Sequence, residues 1–584
     1  MPVIDQQRIS DGFLTLERGI DAGKSPNLLP RNQASFAVNA TMRGGYVKTR
    51  PAFNNIPLVF TAIEQADAES MQSNFKTGKF QGAYNYHHGR NSYFVCAIGG
   101  YLYKIDVKSG VVNDITPKKE DGTADINPPD IPYFFFQQAE QYLVIQDGIS
   151  LPIIFNGASA RRSDLKQNEV PVGTAMAYGN GRLWVAKGRE FVAGDIVGGP
   201  TNVIRFTENT YIAEGGAFSV PLDTGNITAM KFVSQPDSSL GQGELLVHTL
   251  KAVFAVNVPT SRDNWKKVSY PTVRIVAINY GSVSERSCTL VNGDMFYRAP
   301  DGIRSYVSSR REWKEYGQVP VSREISNVLN LEQLSSITQL TSSVLFDNRL
   351  LTTVTPNTNS NQGIFFQGLA VLDFDLVGGN GQKSPAAWEG LWTGLNFLQL
   401  LDAEIEEEER CFSFVLDGNC RIQLWELTKN GKKDNEKTSI ECYIETSSYS
   451  FENPFELKRL EYGEMWVDQL EGEVDFNIKF KPNQYPAWVD WSEFTECSKT
   501  ENCDPPAGSC LTFINYKPQY RSRRRLPQPA DSCESVNGAP MRNGYEISAR
   551  IGWTGQARIK GFRLHAYPVI EEPYGDCAEF GACS

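Results

Sequence analysis

The chain is built on a loose internal repeat. A two-strand unit recurs at least six times between about residues 90 and 430: NSYFVCAIGGYLYKIDV, EQYLVIQDGISLPIIFNG, NGRLWVAKGREFVAGDI, QGELLVHTLKAVFAVNV, NGDMFYRAPDGIRSYVS and ERCFSFVLDGNCRIQLWEL. Each copy runs from one or two polar residues into an apolar strand, a short turn and a second apolar strand. The turns fall at Gly99-Gly100, Asp147-Gly148, Lys187-Gly188, Thr249-Leu250, Asp301-Gly302 and Asp417-Gly418. A seventh, longer copy runs from DNRLLTTVT at Asp347 to LAVLDFD at Asp375. The spacing of about 40 to 60 residues is that of β-propeller blades. A single four-stranded unit cannot bury both of its faces, whereas a closed ring can. The alternative is a run of unrelated hairpins in one large β-sandwich.

The expected fold is therefore all-β. An extended N-terminal arm covers residues 1–55, a β-propeller of about six or seven irregular blades covers 56–430, and a cysteine-rich C-terminal β-sandwich covers 431–584. The arm is polar and ends in NATMRGGYVKTRPAF, where Gly44-Gly45 turns into a strand that Pro51 stops. Residues 63 to 73 are weakly helical. In PVSREISNVLNLEQL, Ser322 is placed to cap a short surface helix carrying Ile325, Val328 and Leu329 on one face. Lys429 to Ser439 reads as a linker, and the segments after it alternate with period two.

Composition narrows the function classes. A net charge of −11 over 584 residues argues against a surface built to grip nucleic acid. The opening MPVIDQQRISDG has no apolar signal core or basic leader, and no stretch approaches 18 consecutive apolar residues. A product made in the cytoplasm, with no membrane span, is expected. Nine of the 11 cysteines follow residue 410, and Cys497, Cys503, Cys510, Cys533, Cys577 and Cys583 crowd the tail. Their spacing lacks the close C-x2-C pairs of zinc ribbons, which leaves disulfides, free thiols in long loops, or a metal site. Release by lysis reconciles such cysteines with a missing signal.

Catalytic motifs are not found. There is no G-x-S-x-G elbow, Walker loop, H-E-x-x-H or sialidase-type Asp box. His87, His88, His248 and His565 are too few and scattered for a metal centre, so no metal, cofactor or enzyme activity is expected. Arg521, Arg523, Arg524 and Arg525 form a basic loop suited to docking on an acidic partner. An acidic run, DAEIEEEER from Asp402 to Arg410, reads as a solvated loop between strands.

The stretch RGIDAGKSPNLLPRNQASFAVNATMRGGYVKTRPAF resembles the start of the tail nozzle, or tail tubular protein B, family of short-tailed bacteriophages. Asn39, Arg43, Gly44, Gly45, Arg50 and Pro51 occupy the family's places, with Ala52 where Gly often stands. Glu140 to Gly157, Arg182 to Ile196 and Gly225 to Phe232 resemble its propeller strands, so the likeness covers about residues 18 to 330. The resemblance implies a virion structural protein. Its members form a sixfold ring at the distal end of the tail, below an adaptor ring, and support fibres or a needle. The ring continues the DNA ejection channel without binding DNA specifically and helps retain packaged DNA. The runner-up is a carbohydrate-binding or glycan-depolymerising propeller used in host recognition.

Overall fold

The computed structural model describes residues 8–62, 64–197, 204–207, 217–233, 243–259, 261–269, 271–309, 320–329, 338–355, 365–375, 386–483, 485–497, 522–529 and 542–569. The protein is all-β with a propeller arrangement. The first five repeat copies each become a hairpin within a small, mainly antiparallel sheet of their own. In the first, Asn91–Ile98 and Tyr101–Asp106 meet at Gly99 and Gly100, whose φ values are +59° and +85°. A Cβ on Gly100 would lie 2.1 Å from the Asn127 carbonyl oxygen, so this turn demands glycine twice over.

Five sheets stand alone. They hold Phe80–His88 and its four partners, then strands of 135–162, 176–219, 227–278 and 289–305. Their packing explains the unbroken apolar runs. Leu143 and Ile145 point into the core shared with Val95 of the first sheet. Val144, between them, points into the core shared with Leu183 of the third. The third and fourth sheets close over Trp184 and Phe254, and the fourth and fifth over Leu246 and Tyr297. Alternate residues of one strand thus serve two neighbours, and the strand is apolar on both faces.

The first strands of the sheets, Phe80–His88, Phe135–Ala139, Met176–Gly179 and Ile227–Phe232, touch in that order, and Thr289–Val291 touches Ser343–Phe346. Ser343–Phe346 and the long strand Ala387–Ile405 complete the series back to Phe80–His88, but both belong to a seventeen-stranded sheet. Five separate blade sheets is fewer than the six or seven expected. The cause is Ala387–Ile405, which runs 19 residues without a break. Its first half pairs with Phe366–Asp373 and its second with Glu408–Leu416, so those strands never separate into independent sheets. Ala52–Ile56 lies antiparallel beside Ile422–Thr428, joining the end of the arm to the last repeat copy. Phe94 of the first sheet shares a core with Leu401, Phe412 and Leu424, which closes the circuit.

The remaining strands of the large sheet come from both ends of the chain. Ile9–Phe13 and Val47–Thr49 pair with Ile547–Pro568, and Phe36–Val38 pairs with Glu441–Glu445. One core holds Phe13, Ala37 and Val47 together with Ile444, Phe476 and Phe562. The arm therefore finds its burial within this chain, and the strands expected to form a separate sandwich share a sheet and a core with it. Two local expectations are also revised. The weak helix is Gln65–Thr77, seated on the first sheet through Met71 and Phe75. Ser322 caps nothing: its Oγ accepts the Ile303 N–H at 2.8 Å, and Ile325, Val328 and Leu329 are core, not surface. No helix among the described residues is long and apolar enough to cross a membrane.

Candidate docking face

The motif residues of the arm form a joint. Asn39 adopts φ +55° and its Oδ1 accepts the Thr393 N–H at 2.6 Å and Arg50 Nε at 3.0 Å. Its Nδ2 donates to the Glu441 carbonyl at 2.9 Å. Arg43 reaches Asp347 and Asp373 at 2.9 Å, and Gly44 and Gly45 both take φ +81° to turn the chain back. Arg50, almost fully buried, pairs with Asp434. The Asn39, Arg43 and Arg50 side chains each bond an element distant in sequence, and together they fasten the arm to the long strand, to its neighbours and to the segment leading into the C-terminal strands.

The arginine cluster is not in a loop. Ser522–Leu526 is a strand paired with the long strand Lys458–Pro482, because alternating side chains there bury Leu526 against the sheet while the arginines cover its aromatic rings. Arg521 lies outside the described residues. So do Cys503, Cys510, Cys533, Cys577, Cys583 and the side chain of Cys497, together with any pairing among them. The register opposes Arg523 to Trp466 and Arg525 to Glu464. On the other side of the same strand, Glu464 opposes Arg563 and Tyr462 opposes His565. Partners across a ladder share a face, so these side chains stand on one surface.

That surface is arginine laid on aromatic rings. Arg525 stacks over Tyr462 at 4.2 Å, Arg523 over Trp466 at 5.7 Å and Arg563 over Trp466 at 5.6 Å. Arg8 stacks over Tyr462 at 5.2 Å and donates to its hydroxyl. All four guanidinium side chains are exposed. A stacked guanidinium keeps its N–H fork in plane and open to a carboxylate or phosphate. The face has few anions of its own. Glu464 is buried and ion-paired to Arg523. Burial pulls its carboxyl upward, but Arg523, His565 and Arg563 outweigh that and hold it below its ordinary value. Asp468 is clasped by Arg558 at 2.5 Å and Lys560 at 3.6 Å. Arg525 and Arg563 have no carboxylate in ion-pair range among the described residues. Burial and then the neighbouring Arg558 lower the Lys48 ammonium, so cations on this face also repel one another. Arg524 projects differently, over Phe494 at 4.9 Å and towards Glu496 at 3.7 Å.

A second place where charge collects is a cavity of 370 Å³ between the first strands of the sheets, lined by Tyr84, Tyr133, Phe136, Glu285, Arg286 and Gln399. Arg286 lies 3.9 Å over the Tyr133 ring and donates to the Gln81 and Phe134 carbonyls at 2.6 and 3.0 Å. Gln399 pairs both ways with the Ala83 backbone, at 2.9 and 2.7 Å. Burial pushes the Glu285 carboxyl up to about 8, against the pull of Lys231 and Arg286. Its Oε2 is buried with no hydrogen-bond partner. Bulky side chains narrow the axis to this cavity. His248 is a core residue, held to about 3 by burial and set edge-on to Tyr297. His87 and His88 bond Asn85, Ser92 and Tyr86 rather than converging on a site.

No family profile and no curated protein matches this chain. Among solved structures, it is similar to a chain of a mitotic checkpoint complex at 9% identity, covering 65% of this chain and 96% of that one with a TM-score of 0.35. It is also similar to the AfRom2 CNH domain at 9% identity, covering 61% of this chain and 96% of that one with a TM-score of 0.34.

Proposed function

We propose that this protein is a virion structural component, the nozzle or hub ring of a short phage tail. It sits between an adaptor ring and fibres or needle, and it has no catalytic step. The observation that carries the reading is the joint: of the residues that resemble the nozzle family, Asn39, Arg43 and Arg50 bind the arm to the rest of the chain, and Gly44 and Gly45 make the turn between them. A body fastened in this way suits a part that transmits force during ejection. In this reading the strands from Ser343 to Thr428 with Ala52–Ile56 act as two further blades, and the C-terminal strands form a sandwich wrapped on the arm. An axial cavity of only 370 Å³ is too small to pass duplex DNA, which supports a channel running between copies and not through one. DNA then meets an acidic wall that does not hold it.

The test is to purify particles after host lysis, identify the protein among their components by mass spectrometry, and image the isolated protein. Rings with a DNA-width hole and labelling at the distal tail are expected. Absence from particles rejects the reading. One observation favours the glycan-active alternative, the raised Glu285 carboxyl in the axial cavity, since a general acid needs such a pKa. Release of reducing ends from host polysaccharides, abolished by Glu285→Gln, would put that alternative first.

A further inference from the structure

The arginine–aromatic face has a counterpart on the same chain. The long strand Ala387–Ile405 and Glu408–Leu416 form a hairpin whose two-residue turn is Glu406-Glu407. Glu404, Glu406, Glu407, Glu408 and Glu409 are all exposed. Two features of this tip work against stability. Glu406 and Glu407 take φ values of +55° and +66°, positions that two-residue hairpins normally give to Asn and Gly. Glu404 and Glu409 stand directly opposite each other, a like-charge pair across the ladder. Lys108 pairs with Glu406, and Glu409 accepts the Asp347 N–H. The others have no cation in ion-pair range among the described residues. A strained, self-repelling acidic tip has a reason to persist if an external cation compensates it.

We propose that the Glu404–Glu409 tip of one copy docks on the face carrying Arg8, Arg523, Arg525 and Arg563 of a second copy. This rests on the ring reading above and specifies its contact. The two surfaces lie on different elements, and both are exposed in the single chain, so they do not satisfy each other internally. A contact between unlike surfaces is heterologous and builds rings or filaments, not closed pairs. The arginine forks fit carboxylates bidentately. The aromatic rings beneath are already covered by guanidinium groups, which leaves no bare platform for stacking bases. A carboxylate partner therefore suits this face better than a single-stranded nucleic acid.

The experiment uses full-length protein and sedimentation velocity at low and physiological salt. Each variant's thermal unfolding is checked first. The triple change Glu404→Lys, Glu407→Lys and Glu408→Lys, and separately the double change Arg525→Glu and Arg563→Glu, should each weaken association at least tenfold. Mixing the two variants should restore it, because each Lys tip then meets a Glu face and each wild-type tip an Arg face. The proposal is overturned if wild type does not associate, if either variant associates as wild type does, or if mixing fails to rescue. Tight binding of a labelled oligonucleotide that the Arg525→Glu, Arg563→Glu variant loses, without any change in association, would assign the face to phosphate and overturn it as well. Detection in particles tests the tail reading independently, so the two can fail separately.

Discussion

Arg50 and Asp434 form a two-pronged pair, with Nη1 donating to Oδ1 at 3.0 Å and Nη2 to Oδ2 at 2.7 Å. The same guanidinium lies 4.3 Å over the Phe53 ring and reaches Asn39 and the Thr393 carbonyl. Asp434 also accepts the Phe53 N–H at 2.8 Å. One buried cation thus holds the arm, the long strand and the segment leading into the C-terminal strands.

Asp434→Ala should be destabilising by about 3 kcal/mol or more, because it leaves the Arg50 charge buried without its partner. Urea denaturation of the full chain measures it. A loss below about 1 kcal/mol, the range of an exposed pair, would mean that the joint is not where the arm is held.

Backbone contact at the long strand gives a second expectation. Gly390 takes φ +105°, and a Cβ there would lie 2.3 Å from the Ala37 carbonyl oxygen. Gly390→Ala should cost at least about 2 kcal/mol, from strain and clash together. Gly44 also has positive φ, +81°, but open space around it. Gly44→Ala should cost only about 1 kcal/mol, the intrinsic left-handed penalty. Equal losses at the two sites would show that Ala37 gives way.

Glu285 predicts a pH dependence. Its carboxyl is raised by burial to about 8 from an ordinary 4.5, so the folded state binds a proton that the unfolded state has released between those values. Stability from this group is full below about 4.5, falls as pH rises, and levels off above about 8. Glu285→Gln should flatten that slope and gain up to about 5 kcal/mol relative to wild type at alkaline pH. Thermal unfolding from pH 5 to 9 reads it. Parallel curves for the two proteins would exclude an ionising Glu285 in the cavity.

Thiol labelling separates the cysteines. Cys96, Cys288, Cys411 and Cys442 are buried, and burial raises all four thiols, Cys288 and Cys442 to about 12. Cys420 is exposed. In native protein Cys420 should alkylate quickly and the other four only on unfolding. The same peptides, digested without reductant, should carry at least one disulfide among Cys497, Cys503, Cys510, Cys533, Cys577 and Cys583. Complete alkylation of those six without reductant would remove the disulfide, and stoichiometric zinc would replace it with a metal site.

The hairpins at Gly99-Gly100 and Lys187-Gly188 were legible in the sequence because their strands are adjacent and their turns need residues of special φ. The same holds for the all-β class, since strand propensity and turn chemistry act locally. The basic cluster was visible as composition, but its setting was not. Arg523 and Arg525 become a stacked face only when Lys458–Pro482 brings Tyr462, Glu464 and Trp466 beneath them, and Ile547–Pro568 adds Arg563. The polar arm looked like a segment in search of a partner. Its partners were the far end of the chain: Ile9–Phe13 beside Phe562 to Ala566, and Ala52–Ile56 beside Leu424 to Thr428. Pattern and propensity decide what each short stretch becomes, because those energies arise between near neighbours. Which strands share a sheet is decided by closing loops of hundreds of residues, and that entropy is recovered only when a common core forms. The chain by itself therefore determined its strands and turns, whereas the joint at Arg50, the axial cavity and the arginine face exist only in the folded whole.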